Sequence, residues 1–357
     1  MFEDGDAQTV SVAAAEAAER DAFDLESLAG WMSDHADGFS GPSTCSKFAG
    51  GQSNPTYRID TPDRSYVLRR KPFGPILPSA HAIEREYRVI AALQPTGFPV
   101  PPPHGLCEDD GVIGAPFYVM EMVEGRTLWD GTMPDVTPAE RTAHYHAMVD
   151  TLAQLHEVDY RSVGLGDYGR PGNYFERQVA RWTKQYKAAE TEHLPSVERL
   201  IEWLPRTVPE QTRTSIVHGD YRIDNLIFAG AGPQVIAVLD WELSTLGDPL
   251  ADFSYFLLCW VTRPEGNAGV LGMTGSDTGI PTMTEMVERY CAATVRDGVP
   301  DLDWYFAYNL FRLTGITQGI KRRIQLGTAS NAQAEKTAAR VGALADAAWD
   351  FALKAGA

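Results

Sequence analysis

Cysteine is scarce in this sequence: the four present, Cys45, Cys107, Cys259 and Cys291, stand far apart with no CxxC pair. That spacing argues against a zinc site and a disulfide scaffold, and fits free thiols in a reducing compartment. Basic side chains are also short, since 31 Lys and Arg against 48 Asp and Glu leave a formal net charge of −17. Binding along a nucleic-acid backbone needs a basic footprint, so no nucleic-acid partner is expected. The longest apolar run, Phe253–Val261, is too short to cross a bilayer, and the acidic N-terminus lacks the basic start of a signal peptide. A cytoplasmic protein with no membrane partner is expected. No Gly-x4-Gly-Lys-Ser/Thr run occurs, so a P-loop is out.

What is present is an ordinary globular composition, with 44% hydrophobic and 22% charged residues over a length that suits two domains or one two-lobed unit. Charge is distributed unevenly. Residues 1–30 hold eight acidic side chains against Arg20 alone, while Asp63 to Arg88 holds six basic and three acidic ones. A locally basic stretch in an acidic protein suits a small anionic ligand better than a polymer.

Residues 1–22 lack apolar periodicity and read as an acidic flexible tail. From Phe48 short alternating runs begin: Thr56–Ile59 and Ser65–Leu68, joined by the turn Thr61-Pro-Asp63, predict a β-hairpin. A helix is expected over 79–93 and a second strand pair near Gly105–Leu106 and Phe117–Val123. After Gly125 the chain turns mostly helical, led by Pro138–Val158, with one β interruption at Ser215–Val217, Leu226–Phe228 and Val235–Leu239. A small β-rich lobe over 23–123 and a large helical lobe over 124–357 make an α+β fold.

Two motifs compete. Gly164-Leu-Gly-Asp-Tyr-Gly169 matches a dinucleotide fingerprint, but a helix precedes it and Arg170-Pro-Gly172 follows, so it reads as a loop. The stronger signal is His218-Gly-Asp-Tyr-Arg-Ile-Asp-Asn225, set between two short strands. Phosphoryl transfer needs a group that accepts the substrate hydroxyl proton and another that holds a metal on the triphosphate. Asp220 and Asn225 on one loop meet those needs. Asp240, at a strand end, can fold back as a second metal ligand, and such oxygens suit Mg²⁺. Taken blandly, the same residues are turn formers and a strand terminator. His144, His146 and His156 show no i,i+4 pair and read as surface or satisfied core histidines.

Together with Leu239-Asp-Trp-Glu242, Glu84-Arg-Glu86 and Gly247-Asp-Pro-Leu-Ala-Asp252, the loop resembles the aminoglycoside phosphotransferase and choline kinase group, which has the two-lobed protein-kinase-like fold. Gly50-Gly-Gln-Ser-Asn54 and Arg69-Arg-Lys-Pro72 are most similar to the kinase-like domain fused to some acyl-CoA dehydrogenases. The resemblance runs from about Phe48 to the C-terminus and implies an ATP- and Mg²⁺-dependent enzyme. It implies a nucleotide-binding set of Gly50, Gly51, Gln52, Ser53, Asn54 and Arg69. Glu121 would offer a carbonyl to adenine and Val123 an N–H. Arg69 stands where the family usually has lysine, with Lys71 as a substitute, and Arg70 and Lys71 otherwise read as an exposed strand end. On the helix of Ile83, Tyr87, Ile90 and Leu93, Glu86 falls on the apolar face and Glu84 does not, so Glu86 matches the family's brace for the phosphate-gripping cation. Glu84 is expected to pair with Arg88 at i+4. Asp248-Pro249 reads as a helix start and Asp252 as an anchor of the catalytic loop. Only seven residues separate Asp240 from Asp248, too few for a protein kinase's activation loop.

The acceptor stays open. It is an aminoglycoside-like molecule or a hydroxyacyl-CoA-type metabolite, and a nucleotide-binding pseudokinase is the alternative without chemistry. Acidic clusters such as Glu190-Thr-Glu192 could attract a polycation, although a solvated acidic face is the default. The segment Gly266–Pro281 reads either as a flap over the substrate or as a surface loop.

Overall fold

The computed structural model describes residues 23–41, 43–48, 54–73, 82–265, 268–327 and 332–357. Two compact units emerge. One holds the described residues up to Pro95 together with Val100–Val123, and the other holds Thr96–Pro99 and everything from Glu124 on.

The first unit is an antiparallel sheet of β1 (Thr44–Lys47), β2 (Thr56–Asp60), β3 (Ser65–Arg70), β4 (Pro103–Cys107) and β5 (Phe117–Glu121), in the order β1-β2-β3-β5-β4. Alternation puts Tyr57, Ile59, Tyr66, Leu68, Phe117 and Val119 into one core with Leu28 and Met32 of helix α1 (Leu25–His35). The Asp24 side chain caps α1 by accepting from the Glu26 amide at 2.9 Å. Helix α2 (Ile83–Leu93) buries Ile83, Glu86, Ile90 and Leu93 as the 100° periodicity predicts, while Tyr87 of that face is half-buried and Val89, outside it, is buried.

In the second unit a capping box at Thr137 and Glu140, with Pro138 in the first turn, starts helix α3 (Pro138–Glu157). Helices α4 (Tyr174–Ala189) and α5 (Pro195–Trp203) follow. Then come the short strands β7 (Ser215–Val217), β8 (Leu226–Phe228), β9 (Val235–Val238) and β10 (Thr245–Gly247). β8 pairs with β9 and with β6 (Arg126–Thr127), and β7 pairs with β10. Helices α6 (Leu250–Leu257), α7 (Met283–Thr294), α8 (Leu302–Gln325), α9 (Ala332–Ala338) and α10 (Val341–Lys354) complete the unit, with α10 packed along α8.

The expected hairpin, both later strand positions and all three strands of the β interruption are present. Strands β1, β6 and β10 and helix α1 were not foreseen. The glycine-rich stretch 164–169 is loop. The described part of 266–281 is tied down: Arg141 donates to the Thr278 carbonyl, Thr142 to Gly279 O at 2.7 Å, and the Trp260 indole to Pro281 O at 2.8 Å. The acidic tail 1–22 and residues 49–53 lie outside the described residues.

Candidate active site

The first unit supplies a braced cation. Strands β2, β3 and β5 pair in register, which sets Arg69 opposite Thr56 on one side and Tyr118 on the other. The Arg69 guanidinium meets Glu86 of α2 at 3.0 Å, and the Glu86 side chain is 1% exposed. Glu86 also accepts from Asn54 Nδ2 at 2.6 Å and from the Tyr118 hydroxyl at 3.1 Å. A buried carboxylate is costly unless it is paired, and this one has three donors. Asn54, expected among the nucleotide-binding residues, is thus buried and turned onto the brace. Gly50, Gly51, Gln52 and Ser53 lie outside the described residues. Glu121 ends β5 with its side chain exposed, and half-buried Val123 lies two residues beyond.

Two neighbouring expectations are corrected. Arg70 is buried rather than an exposed strand end, because its guanidinium packs over the Phe73 ring at 3.7 Å and donates to the Tyr57 hydroxyl at 2.9 Å. Glu84 pairs with Lys71 rather than with Arg88, since α2 runs beside the end of β3 and brings the two within contact. Lys71 is therefore engaged by Glu84, while Arg69 takes the buried Glu86.

The second unit holds the loop 218–225. Asp252, at the start of α6, accepts the backbone amides of His218 at 2.5 Å and Gly219 at 2.7 Å. Its other neighbour is buried His156, at 3.4 Å, which shares a 2.7 Å hydrogen bond with the Tyr290 hydroxyl. Burial works against the charge of Asp252, but the hydrogen bonds from His156 and the Gly219 amide hold its carboxyl below the usual range. From α8, buried Arg312 donates to the Gly219 carbonyl and lies over the Tyr255 ring at 4.9 Å. Gly219 has φ +87°, and a Cβ there would stand 2.7 Å from the Leu243 carbonyl oxygen, so only glycine fits the turn. Asp248 accepts from the Leu250 amide at 2.9 Å, so it lies at the start of α6 as expected, but the capping position itself falls one residue later, on Pro249.

This scaffold fixes Asp220 on both carboxylate oxygens. Oδ1 accepts from the Tyr255 hydroxyl at 2.8 Å, while Oδ2 accepts from Asn225 Nδ2 at 3.1 Å and faces Arg222 Nε at 3.3 Å. The amide of Leu239 donates to the Asn225 carbonyl at 2.8 Å, which brings β9 and the following Asp240 against the loop. Asp240 sits at φ 67°, ψ 63°, a left-handed conformation that aspartate tolerates at some cost and that often marks functional sites.

Sequence reasoning missed four residues here. Arg222 pairs with Asp224 at 2.9 Å as well as with Asp220. Burial opposes its charge, but Asp220, Tyr255, Asp224 and Asp240 together hold its guanidinium above the ordinary value. Burial, with the charges of Asp220 and Asp240, pushes the Asp224 carboxyl up despite Arg222, and its Oδ1 is buried with no hydrogen-bond partner. Tyr255 and Arg312 come from helices 35 and 92 residues downstream of Asp220, a separation at which no local motif reports contact.

A cavity of about 230 Å³ adjoins this loop within the second unit. Tyr255 and Arg222 line it, with Phe256, Leu310, Leu344 and Arg340 among its other walls, and no Asp or Glu among the described lining residues. The clusters that could have drawn a polycation are neutralised locally: Lys187 pairs with Glu190 at 3.9 Å and with Glu198, and Lys321 pairs with Glu192.

The family model described as "Phosphotransferase enzyme family" matches residues 44–286. Acyl-CoA dehydrogenase family member 10 of Mus musculus is 46% identical over 335 residues, 92% of this chain and 31% of that protein. The chain thus spans about a third of that relative's length. A crystal structure from Ralstonia eutropha, provisionally named an aminoglycoside phosphotransferase, is 48% identical with a TM-score of 0.86, covering 93% of this chain and 99% of that one. Spectinomycin phosphotransferase in complex with ADP and spectinomycin shares the fold, at a TM-score of 0.59 and 13% identity over 92% of this chain and 98% of that one.

Proposed function

The chain belongs to the phosphotransferase enzyme family, and we propose that it moves the γ-phosphoryl group of ATP to a hydroxyl of a small molecule. The observation that carries this reading is Asp220: a carboxylate held on both oxygens, on a loop whose backbone is tied to Asp252 and Arg312, with two of its partners, Tyr255 and Arg222, lining a cavity large enough for a small acceptor. In this reading Asp220 receives the proton of the acceptor hydroxyl as the hydroxyl oxygen bonds to the γ-phosphorus and the bond from that phosphorus to the bridging oxygen breaks, releasing ADP. Arg69 neutralises phosphate charge, and Glu86 keeps its guanidinium in one orientation.

The donor set fits Mg²⁺. Asn225 and Asp240 offer hard oxygen ligands, and the buried Oδ1 of Asp224, which has no hydrogen-bond partner among the described residues, leaves a further oxygen unsatisfied in the same loop. Asn225 and Asp240 would hold the ion, with Asp220 next to them. When bound, Mg²⁺ supplies neutralisation of the triphosphate and of the charge that develops in transfer.

The cavity bears on the acceptor. Apolar walls, two arginines and no carboxylate among the described lining residues suit a molecule with an apolar body and an anionic group, and they repel a polycation. A hydroxy acid or hydroxyacyl thioester is therefore favoured over an aminoglycoside. The acyl-CoA dehydrogenase relative makes acyl-CoA-linked acceptors the first class to assay. With Mg²⁺ and ATP, kcat/KM should be higher for a medium-chain hydroxy acid or its thioester than for kanamycin. Arg340→Glu should lower kcat/KM for the anionic acceptor about tenfold while leaving the KM for ATP unchanged. Turnover of aminoglycosides alone, improved by that substitution, would reverse the assignment.

A further inference from the structure

Arg222 stands in an unusual position. Its guanidinium faces Asp220 Oδ2 and Asp224 Oδ2, at 3.3 and 2.9 Å, and the carboxylate of Asp240 lies within electrostatic reach. Two of these three carboxylates belong to the proposed base and metal ligand. A cation already placed among them opposes a second one, whether or not the two touch the same oxygen. We propose that Arg222 is the resident counter-ion of the metal site and makes entry of the divalent ion depend on the nucleotide that accompanies it. A bare ion must displace the guanidinium or sit beside it. An ion arriving on a triphosphate brings anionic oxygens to which the released guanidinium can turn, since its side chain is about half exposed. Asp224, through Oδ2, is then the partner that holds the arginine in the metal-free protein. This inference rests on the phosphotransferase reading above.

The test uses the full chain and follows melting temperature, without acceptor and at constant ionic strength, against MgCl₂ alone and against ADP at saturating MgCl₂. The variant is Arg222→Gln. Because Arg222 is half exposed, the variant should fold, and Arg222→Met, which keeps the stem along the cavity wall, is read in the same way. The Mg²⁺-alone midpoint should fall about fivefold in the variant, as expected for loss of one like charge near the site. The Mg²⁺·ADP midpoint should stay the same or rise. A merely structural arginine would move both midpoints together, and that result, or an unchanged Mg²⁺-alone midpoint with Mg²⁺·ADP still binding, overturns the proposal alone. If neither Mg²⁺ nor Mg²⁺·ADP stabilises either protein, the phosphotransferase reading falls with it.

Discussion

Asp220 and Glu86 show how the same side-chain type serves two ends. Glu86 is buried and takes donors from Asn54, Tyr118 and Arg69, so its charge is spent on orientation. Asp220 is held by Tyr255, Asn225 and Arg222, and two of these, Tyr255 and Arg222, line a cavity, so that in the proposed reading one donor can yield to an acceptor hydroxyl. Asp220→Asn should lower turnover by about a hundredfold or more while nucleotide binding persists, as read by single-turnover kinetics and ADP titration. Glu86→Ala should raise the KM for ATP or lower kcat, and Arg69→Ala should add little in that background because the pair acts as a unit. Strictly additive losses would show the two residues uncoupled. Glu86 was legible in sequence because helical periodicity alone separates it from Glu84. The role of Asn54 was not, since bracing Glu86 requires a contact across 32 residues that only the folded sheet and helix create.

The loop 218–225 depends on elements that arrive later in the chain. Its strands were readable because β7, β8 and β9 are short apolar runs bounded by turn residues. Its anchors Tyr255 and Arg312 were not, because buried helix faces absorb tyrosine and arginine stems without any local signature. Gly219→Ala should strain the left-handed turn and press a Cβ into the Leu243 carbonyl, at a cost of about 1–2 kcal/mol, measurable by urea denaturation. Activity should fall more than stability, because the displaced residue adjoins Asp220. At the start of α6, burial pushes the Asp248 carboxyl up to about 6 from its ordinary 3.8. A raised carboxyl favours the folded state only when protonated, so this stabilisation is complete below the ordinary value and is lost as pH rises through about 6. Relative to the parent, Asp248→Asn should therefore gain about 3 kcal/mol between about pH 4 and pH 7 in paired denaturation curves. A pH-independent difference would contradict the burial argument.

At the scale of the whole molecule, a net charge of −17 coexists with a cavity in which the charged side chains among the described lining residues are arginines. Composition therefore says little about the acceptor. The sign that matters is set by Arg222 and Arg340, which folding brings to one wall from positions 118 residues apart. Fold class was legible, because the change from alternating to helical texture near Gly125 reflects two units that each satisfy their own core. Acceptor class was not, because it depends on which side chains line a cavity. The most direct measurement is ³¹P NMR of the full chain with Mg²⁺, ATP and a panel of hydroxy acids, hydroxyacyl thioesters and aminoglycosides. A new phosphate monoester should grow with ADP in stoichiometric step for the parent chain and be lost in Asp220→Asn. Nucleotide binding with no monoester from any acceptor, or equal monoester from both proteins, would contradict phosphoryl transfer through Asp220.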